Sequence, residues 1–211
     1  VTQSVVAFED LYDVLKSIVD SVAGTLSADR SSVITFNHEE RQITNLVAAG
    51  KGAHNIETSV TYDELMEGLS GWVVREARPA YSPNGERDPR ESSAAQERRL
   101  ATNCGCVVIL PLSYMGEIQG TMTVINRPDQ PNFTKQEVAW MEAIAIQAST
   151  AIGRAQVYDQ LRKANTLLEK QSERLQQELA DRQLAESALA VERDLLQALM
   201  DNVPDTIYFK D

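Results

Sequence analysis

Apolar residues recur at helical spacing near the start of the chain. Leu11, Leu15, Ile18, Val22 and Leu26, with Val14 and Val19 beside them, predict an amphipathic helix over residues 5–26. The pattern then shortens. Residues 32–36 (Ser-Val-Ile-Thr-Phe) are β-branched and predict a strand, residues 37–41 a polar connection, and residues 43–49 a second strand closed by Gly50 and Gly52, so the pair makes a hairpin. Residues 51–60 read as loop. Thr61 and Glu64 form a capping box before a short helix, and Ser70 is expected to cap another that ends before Pro79. Residues 80–82 predict a short strand, residues 83–91 turn and charge, and residues 92–102 a helix. Residues 106–112 form a strongly apolar strand, whose Pro111 must face an edge or a bulge because it cannot donate to a ladder. After a turn at Tyr114-Met115-Gly116-Glu117, Ile118, Gly120, Met122 and Val124 alternate with Gln119, Thr121, Thr123 and Ile125, which predicts a half-buried antiparallel strand. The order of elements predicts an α+β domain with an antiparallel sheet.

The longest pattern comes last. Thr134 and Glu137 form a second capping box, with Phe133 and Val138 as a hydrophobic staple. Beyond them no proline occurs until Pro204, and Gly153 is the only glycine. A helix from residue 134 to about residue 200 would be roughly 100 Å long and needs a partner for its apolar stripe. With Tyr158 at heptad position a, position d falls on Leu161, Leu168, Leu175, Arg182, Leu189 and Leu196. Position a carries Tyr158, Asn165, Ser172, Leu179, Glu186 and Arg193. A polar Asn165 at a fixes register and favours a parallel pair. Arg182 interrupts the seam, and Leu184, Val191 and Ala198 start a second series, which places a stutter near residues 179–186. The expected dimer interface is therefore Tyr158, Leu161, Asn165, Leu168, Leu175 and Leu179.

Composition narrows the class. The chain has 211 residues, 43% of them apolar, and a net charge of −11. That supports one ordinary domain plus the helix and argues against nucleic acid as a partner. It starts at Val1 without an initiator Met, so a piece of a longer protein is expected. With no signal peptide and no apolar run of bilayer length, the reading is cytoplasmic, with no membrane contact by this segment. Cys104 and Cys106 stand two apart; on a strand their side chains would point the same way, poor geometry for a disulfide. Two cysteines and two histidines do not make a zinc site.

Gly68-Leu69-Ser70-Gly71-Trp72-Val73-Val74-Arg75, Arg78-Pro79 and Arg87-Asp88-Pro89-Arg90 resemble the middle of a GAF domain. Residues 107–112, Gly116-Glu117-Ile118-Gln119-Gly120 and Phe133-Thr134 resemble its end. The resemblance implies a central antiparallel sheet, with the first and last helices together on one face. Short helices and loops from about residue 55 to 105 would enclose a pocket on the other. In the family that pocket holds a small molecule, a cyclic nucleotide, a haem or a bilin, or nothing. Residues 192–211, ending Thr206-Ile207-Tyr208-Phe209-Lys210-Asp211, resemble the entry of a PAS domain. The implied layout is a GAF sensor domain (1–153), a coiled-coil signalling helix (154–200) and a PAS onset (201–211). The usual owners of this layout are bacterial sensor proteins: histidine kinases of two-component systems and diguanylate cyclases.

Candidate chemistry is sparse. A covalent bilin is not expected, since no Cys or His stands near Ala94-Ala95-Gln96, where bilin-carrying members place the thiol. Asn126-Arg127, Phe133 and Glu137-Val138 stand where cyclic-nucleotide members carry Asn-Lys, Phe and Asp-Glu, and Val138 departs from that motif. His38 and His54 are read as isolated and exposed, Trp72 as core, and the cysteines as small buried residues. Tyr81, Asn84 and Asp88 are the expected ligand contacts at the pocket mouth. No nucleophile–base pair or phosphate loop is found, so no enzyme activity is expected of this segment. Three functions follow: a sensor that biases a parallel helix pair and the PAS and output domains after it, a ligand-free dimerising spacer, or a methionine sulfoxide reductase acting through Cys104 and Cys106.

Overall fold

A computed structural model describes residues 2–53 and 60–202, with side chains from Leu11 onward. The expected PAS onset beyond residue 202 and His54 lie outside these residues. The chain divides into two compact units, Val1–Asp159 and Gln160–Asp211.

The first unit is built on a five-stranded antiparallel sheet in the order β2-β1-β5-β4-β3. Its strands are β1 (Arg30–Asn37), β2 (Gln42–Ala49), β3 (Ala80–Ser82), β4 (Val107–Tyr114) and β5 (Glu117–Ile125). The β4–β5 hairpin turns through Met115 (φ 52°) and Gly116 (φ 89°), both left-handed, which suits the twist of the flanking strands. Pro111 lies past the end of β3, which pairs β4 only through Ile109, so its missing donor falls on an open edge.

Helix α1 (Thr2–Thr25) and the start of α5 (Lys135–Asn202) share one core with one face of the sheet. Leu11, Leu15, Val19 and Val22 of α1 meet Val33, Val47, Val108, Leu110 and Met122 there. Met141, Ala145, Ala148 and Ile152 of α5, spaced by fours and threes, complete it. The opposite face carries a smaller core, in which Leu69 and Val73 of α3 (Leu69–Glu76) pack on Ala80, Val107, Ile109 and Ile125. Two helices on one face and a short-helix layer on the other are the architecture expected from the resemblance.

Several local expectations change. Strand β5 is not half-buried: Thr121 and Ile125 on its second face are buried as well, Ile125 beneath Leu69 and Val73 of α3. The helix expected to start from Ser70 starts at Leu69, with Gly68 as cap and Ser70 buried inside it. A side chain at Gly71 would collide with the Met66 carbonyl, so the close turn from α2 (Tyr62–Glu67) into α3 needs glycine there. His38 is exposed but not isolated, since Nδ1 meets the Tyr62 hydroxyl at 2.7 Å and Nε2 meets the Ile118 carbonyl at 3.2 Å.

Both capping boxes form. Thr61 and Glu64 open α2, and Thr134 Oγ1 accepts from the Glu137 N–H at 3.2 Å while Glu137 accepts from the Thr134 N–H at 2.7 Å. Phe133 is buried beside this second box. Gly153, inside α5, answers to packing. The Tyr114 ring lies against it, and a methyl group there would enter the ring.

In the second unit α5 exposes every residue from Lys163 to Asp201. Ion pairs along the helix, Arg174–Glu178 at 3.0 Å and Arg182–Glu186 at 2.9 Å, decorate it. No helix among the described residues is long and apolar enough to cross a membrane.

Candidate functional site

Strand β3, the loop after it and α4 (Ser93–Ala101) are tied by two arginines. Arg90 is the first. Its guanidinium donates to Asp88 Oδ1 at 2.8 Å, to Asp88 Oδ2 at 2.6 Å and to the Tyr81 carbonyl at 2.8 Å. It also stacks 4.8 Å from the centre of the Trp72 ring. Asp88 is 5% exposed, and hydrogen bonds from Arg90 hold its carboxyl below the usual aspartate range despite burial. Gln96 of α4 donates to the Asp88 carbonyl at 2.8 Å. Trp72 is thus half-buried at the edge of the smaller core, its ring spent on the arginine.

Arg99 is the second. It donates to Ser82 Oγ at 2.7 Å and to the Gly105 carbonyl at 2.6 Å, and it lies 3.4 Å from Glu91. Burial raises the Glu91 carboxyl above the usual range even with Arg99 beside it.

The structure therefore brings Tyr81 and Asp88 onto one guanidinium and turns Asn84 elsewhere. The Asn84 N–H donates to Asn132 Oδ1 at 2.8 Å, and its side-chain amide donates to the Pro128 carbonyl, pinning the loop to the segment before α5. The Tyr81 side chain reaches the Cys106 thiol on the α1–α5 side; burial, then Cys106, raises its hydroxyl above the usual tyrosine value. The expected contact residues thus already serve contacts inside the protein.

Other features were not anticipated. Gln119 Oε1 and Thr121 Oγ1 on β5 are buried without a hydrogen-bond partner among the described residues. Thr121 alternates with the Met122 side of the strand and so lies on the face that carries Ile125, while Gln119 is the extra residue of a bulge between Ile118 and Gly120. A cavity of about 400 Å³ opens elsewhere, lined by Asp20, Gly24, Asp29, Lys51, Arg127 and Gln130 among others. Arg127 lies 3.7 Å from Asp29 there, and Gln130 donates to the Ser27 carbonyl at 3.1 Å. Asn126 is buried and donates to the Pro131 carbonyl at 2.9 Å, holding the loop into α5. No group of three His, Cys, Asp or Glu suited to a metal occurs among the described residues.

The cysteines separate rather than align. Cys106 is fully buried in the α1–α5 core, while Cys104 is half-buried against the α3-side core. The expectation that they point the same way fails because β4 begins only at Val107.

This sheet, with its paired helices on one face and short helices on the other, defines a class. The GAF domain family model matches residues 9–153, and the chain belongs to that family. No curated protein matches the chain. Among solved structures, the GAF domain/HD domain protein from Geobacter sulfurreducens is 17% identical, with a TM-score of 0.58 over 70% of this chain and 95% of that one. The GAF domain of an Acinetobacter phosphoenolpyruvate-protein phosphotransferase is 19% identical, with a TM-score of 0.57 over 71% and 86%. A domain of a putative two-component sensor histidine kinase from Sinorhizobium meliloti is 19% identical, with a TM-score of 0.50 over 71% and 95%. At these identities the likeness is one of fold.

Proposed function

We propose that this chain is the sensing and relaying part of a cytoplasmic bacterial signalling protein. The GAF domain responds to a small ligand or a partner, and α5 passes the response on by pairing in parallel with the α5 of a second copy. The parent is a sensor histidine kinase or a diguanylate cyclase, with a PAS domain and an output domain following. One observation carries the reading. Leu161, Leu168, Leu175 and Leu179 are 55%, 61%, 59% and 58% exposed, and they fall on heptad positions d, d, d and a of a helix with nothing else to cover them among the described residues. Burying one leucine contributes about 1.5–3 kcal/mol, so such a row favours association strongly. Tyr158 and Asn165 extend the same seam. Sensing then requires only that ligand and free states prefer different arrangements of the pair.

Ligand binding on the α3 side of the sheet is supported by Thr121, whose buried hydroxyl has no partner among the described residues and suits a ligand with a hydrogen-bonding group. Asp88 and the Tyr81 carbonyl border this layer through Arg90, which lies over Trp72, while Asn84 acts on it only by fixing the loop. A ligand-free spacer is the second reading, favoured by the close packing of Val73 and Ala80, both 0% exposed, in the same layer. Cysteines introduced at Leu161 or Leu168, in a Cys104→Ser background, test the helix pair. Parallel pairing predicts efficient crosslinking between identical positions, and its absence would remove the relay. Mass spectrometry of gently purified protein decides between sensor and spacer by the presence of a retained molecule.

A further inference from the structure

Arg30 begins β1 and is 8% exposed, yet no carboxylate pairs with it among the described residues. A buried guanidinium without a counter-anion is costly, and structures normally supply one. Arg30 instead aims Nη2 at the sulfur of Cys104, 3.1 Å away. Neighbouring Asp29 is turned toward Arg127 at 3.7 Å. Thr102 Oγ1 lies at 3.1 Å from the same sulfur. That hydroxyl donates its hydrogen to the Arg98 carbonyl at 2.9 Å, so toward the sulfur it is an acceptor. Cys104 is a free thiol and, unlike Cys106, is only partly buried.

We propose that Cys104 is an oxidant-responsive thiol, taken to its sulfenic acid by a hydroperoxide and held in that form between Arg30 and Thr102. The sulfur attacks the terminal peroxide oxygen; the S–O bond forms and the O–O bond breaks. Two electrons pass from sulfur to the peroxide, and the thiol proton goes to the departing alkoxide, which leaves as an alcohol or as water. The new oxygen accepts from Arg30 Nη2, and its hydrogen is donated to Thr102 Oγ1. Ionised, it becomes the anion that Arg30 lacks, and a charge-assisted hydrogen bond forms. Cys106 does not resolve this product into a disulfide, because its side chain belongs to the core on the opposite face of the sheet. The sulfenic acid therefore persists beside Ile125 and Val107, within reach of the α3-side layer. The site stands independently of helix pairing.

The test treats the full chain with hydrogen peroxide, traps sulfenic acid with dimedone and locates the adduct by fragmentation mass spectrometry. The adduct is expected on Cys104 and not on Cys106. Arg30→Met is expected to slow adduct formation roughly tenfold, the size of one charge-assisted hydrogen bond. Thr102→Val, a milder change at the end of α4, slows it in the same direction and serves if Arg30→Met does not fold. No adduct in the wild-type protein, a first adduct on Cys106, or an unchanged rate in the variants would overturn the proposal.

Discussion

Single residues in this molecule act mainly by what they stand against. Gly153 is a poor helix former, and alanine in its place would gain about 1 kcal/mol of helix propensity. The Tyr114 ring reverses the sign, since the added methyl would overlap it. Overpacking of this kind costs about 1–3 kcal/mol. Gly153→Ala is therefore expected to lower the thermal midpoint, and adding Tyr114→Ala to restore most of the loss. A stabilised single variant in a melting experiment would contradict the contact. Asp88 has a pH signature of its own. Its folded carboxyl titrates below the ordinary aspartate value because Arg90 binds the charged form. It thus contributes stability that is complete above about pH 3.9 and is lost as pH falls through the depressed folded value. Asp88→Asn should flatten the acid limb of the stability curve below that pH, read by urea midpoints at a series of pH values. Glu91 has the opposite sign: its raised value means that ionisation weakens the fold as pH rises through it.

Elements were largely legible in the sequence where a local signal defines them. The hairpins follow from β-branched runs bounded by glycine and polar turns. The helices opened by Thr61 and Thr134 follow from side chains that reach back to the backbone, and Ser92 turns out to cap α4 in the same way. The start of α3 was not legible, because Gly68 caps it without a side chain. The second buried face of β5 depends on α3, which arrives from another part of the chain. Register contacts were invisible for the same reason: Arg30 reaches Cys104 across 74 residues, and no local pattern encodes it. Within the candidate site, residues 83–91 read as turn and charge, with Asn84 and Asp88 as expected ligand contacts and no partner foreseen for either. The Asp88–Arg90 pair two residues apart was the available signal for the guanidinium that holds Tyr81 and Trp72. At this scale Thr134→Ala is expected to cost about 1 kcal/mol by removing the α5 cap. Thermal unfolding of the domain measures it directly. In the distal half of α5, Arg182 and Glu186 occupy seam positions and satisfy each other at 2.9 Å. Replacing both with leucine should raise the melting temperature of the paired helix, followed by circular dichroism at fixed protein concentration.

For the whole molecule, a packed GAF domain carries a helix whose later half has an apolar row and no core. The first unit has its own core on both faces of the sheet and leaves single apolar residues such as Leu100 and Ile146 exposed. The second leaves Leu161, Leu168, Leu175 and Leu179 in water, and later Leu184, Leu189 and Leu196 as well. In the proposed pairing, a second copy would meet that need with the same row, in register, at the polar Asn165. Sedimentation equilibrium over a wide range of protein concentrations tests this most directly. The account predicts a two-copy species that Leu161→Asp with Leu168→Asp converts to single copies while the GAF domain stays folded. A single-copy species at every concentration in the wild-type protein, with the helix still formed by circular dichroism, would contradict it.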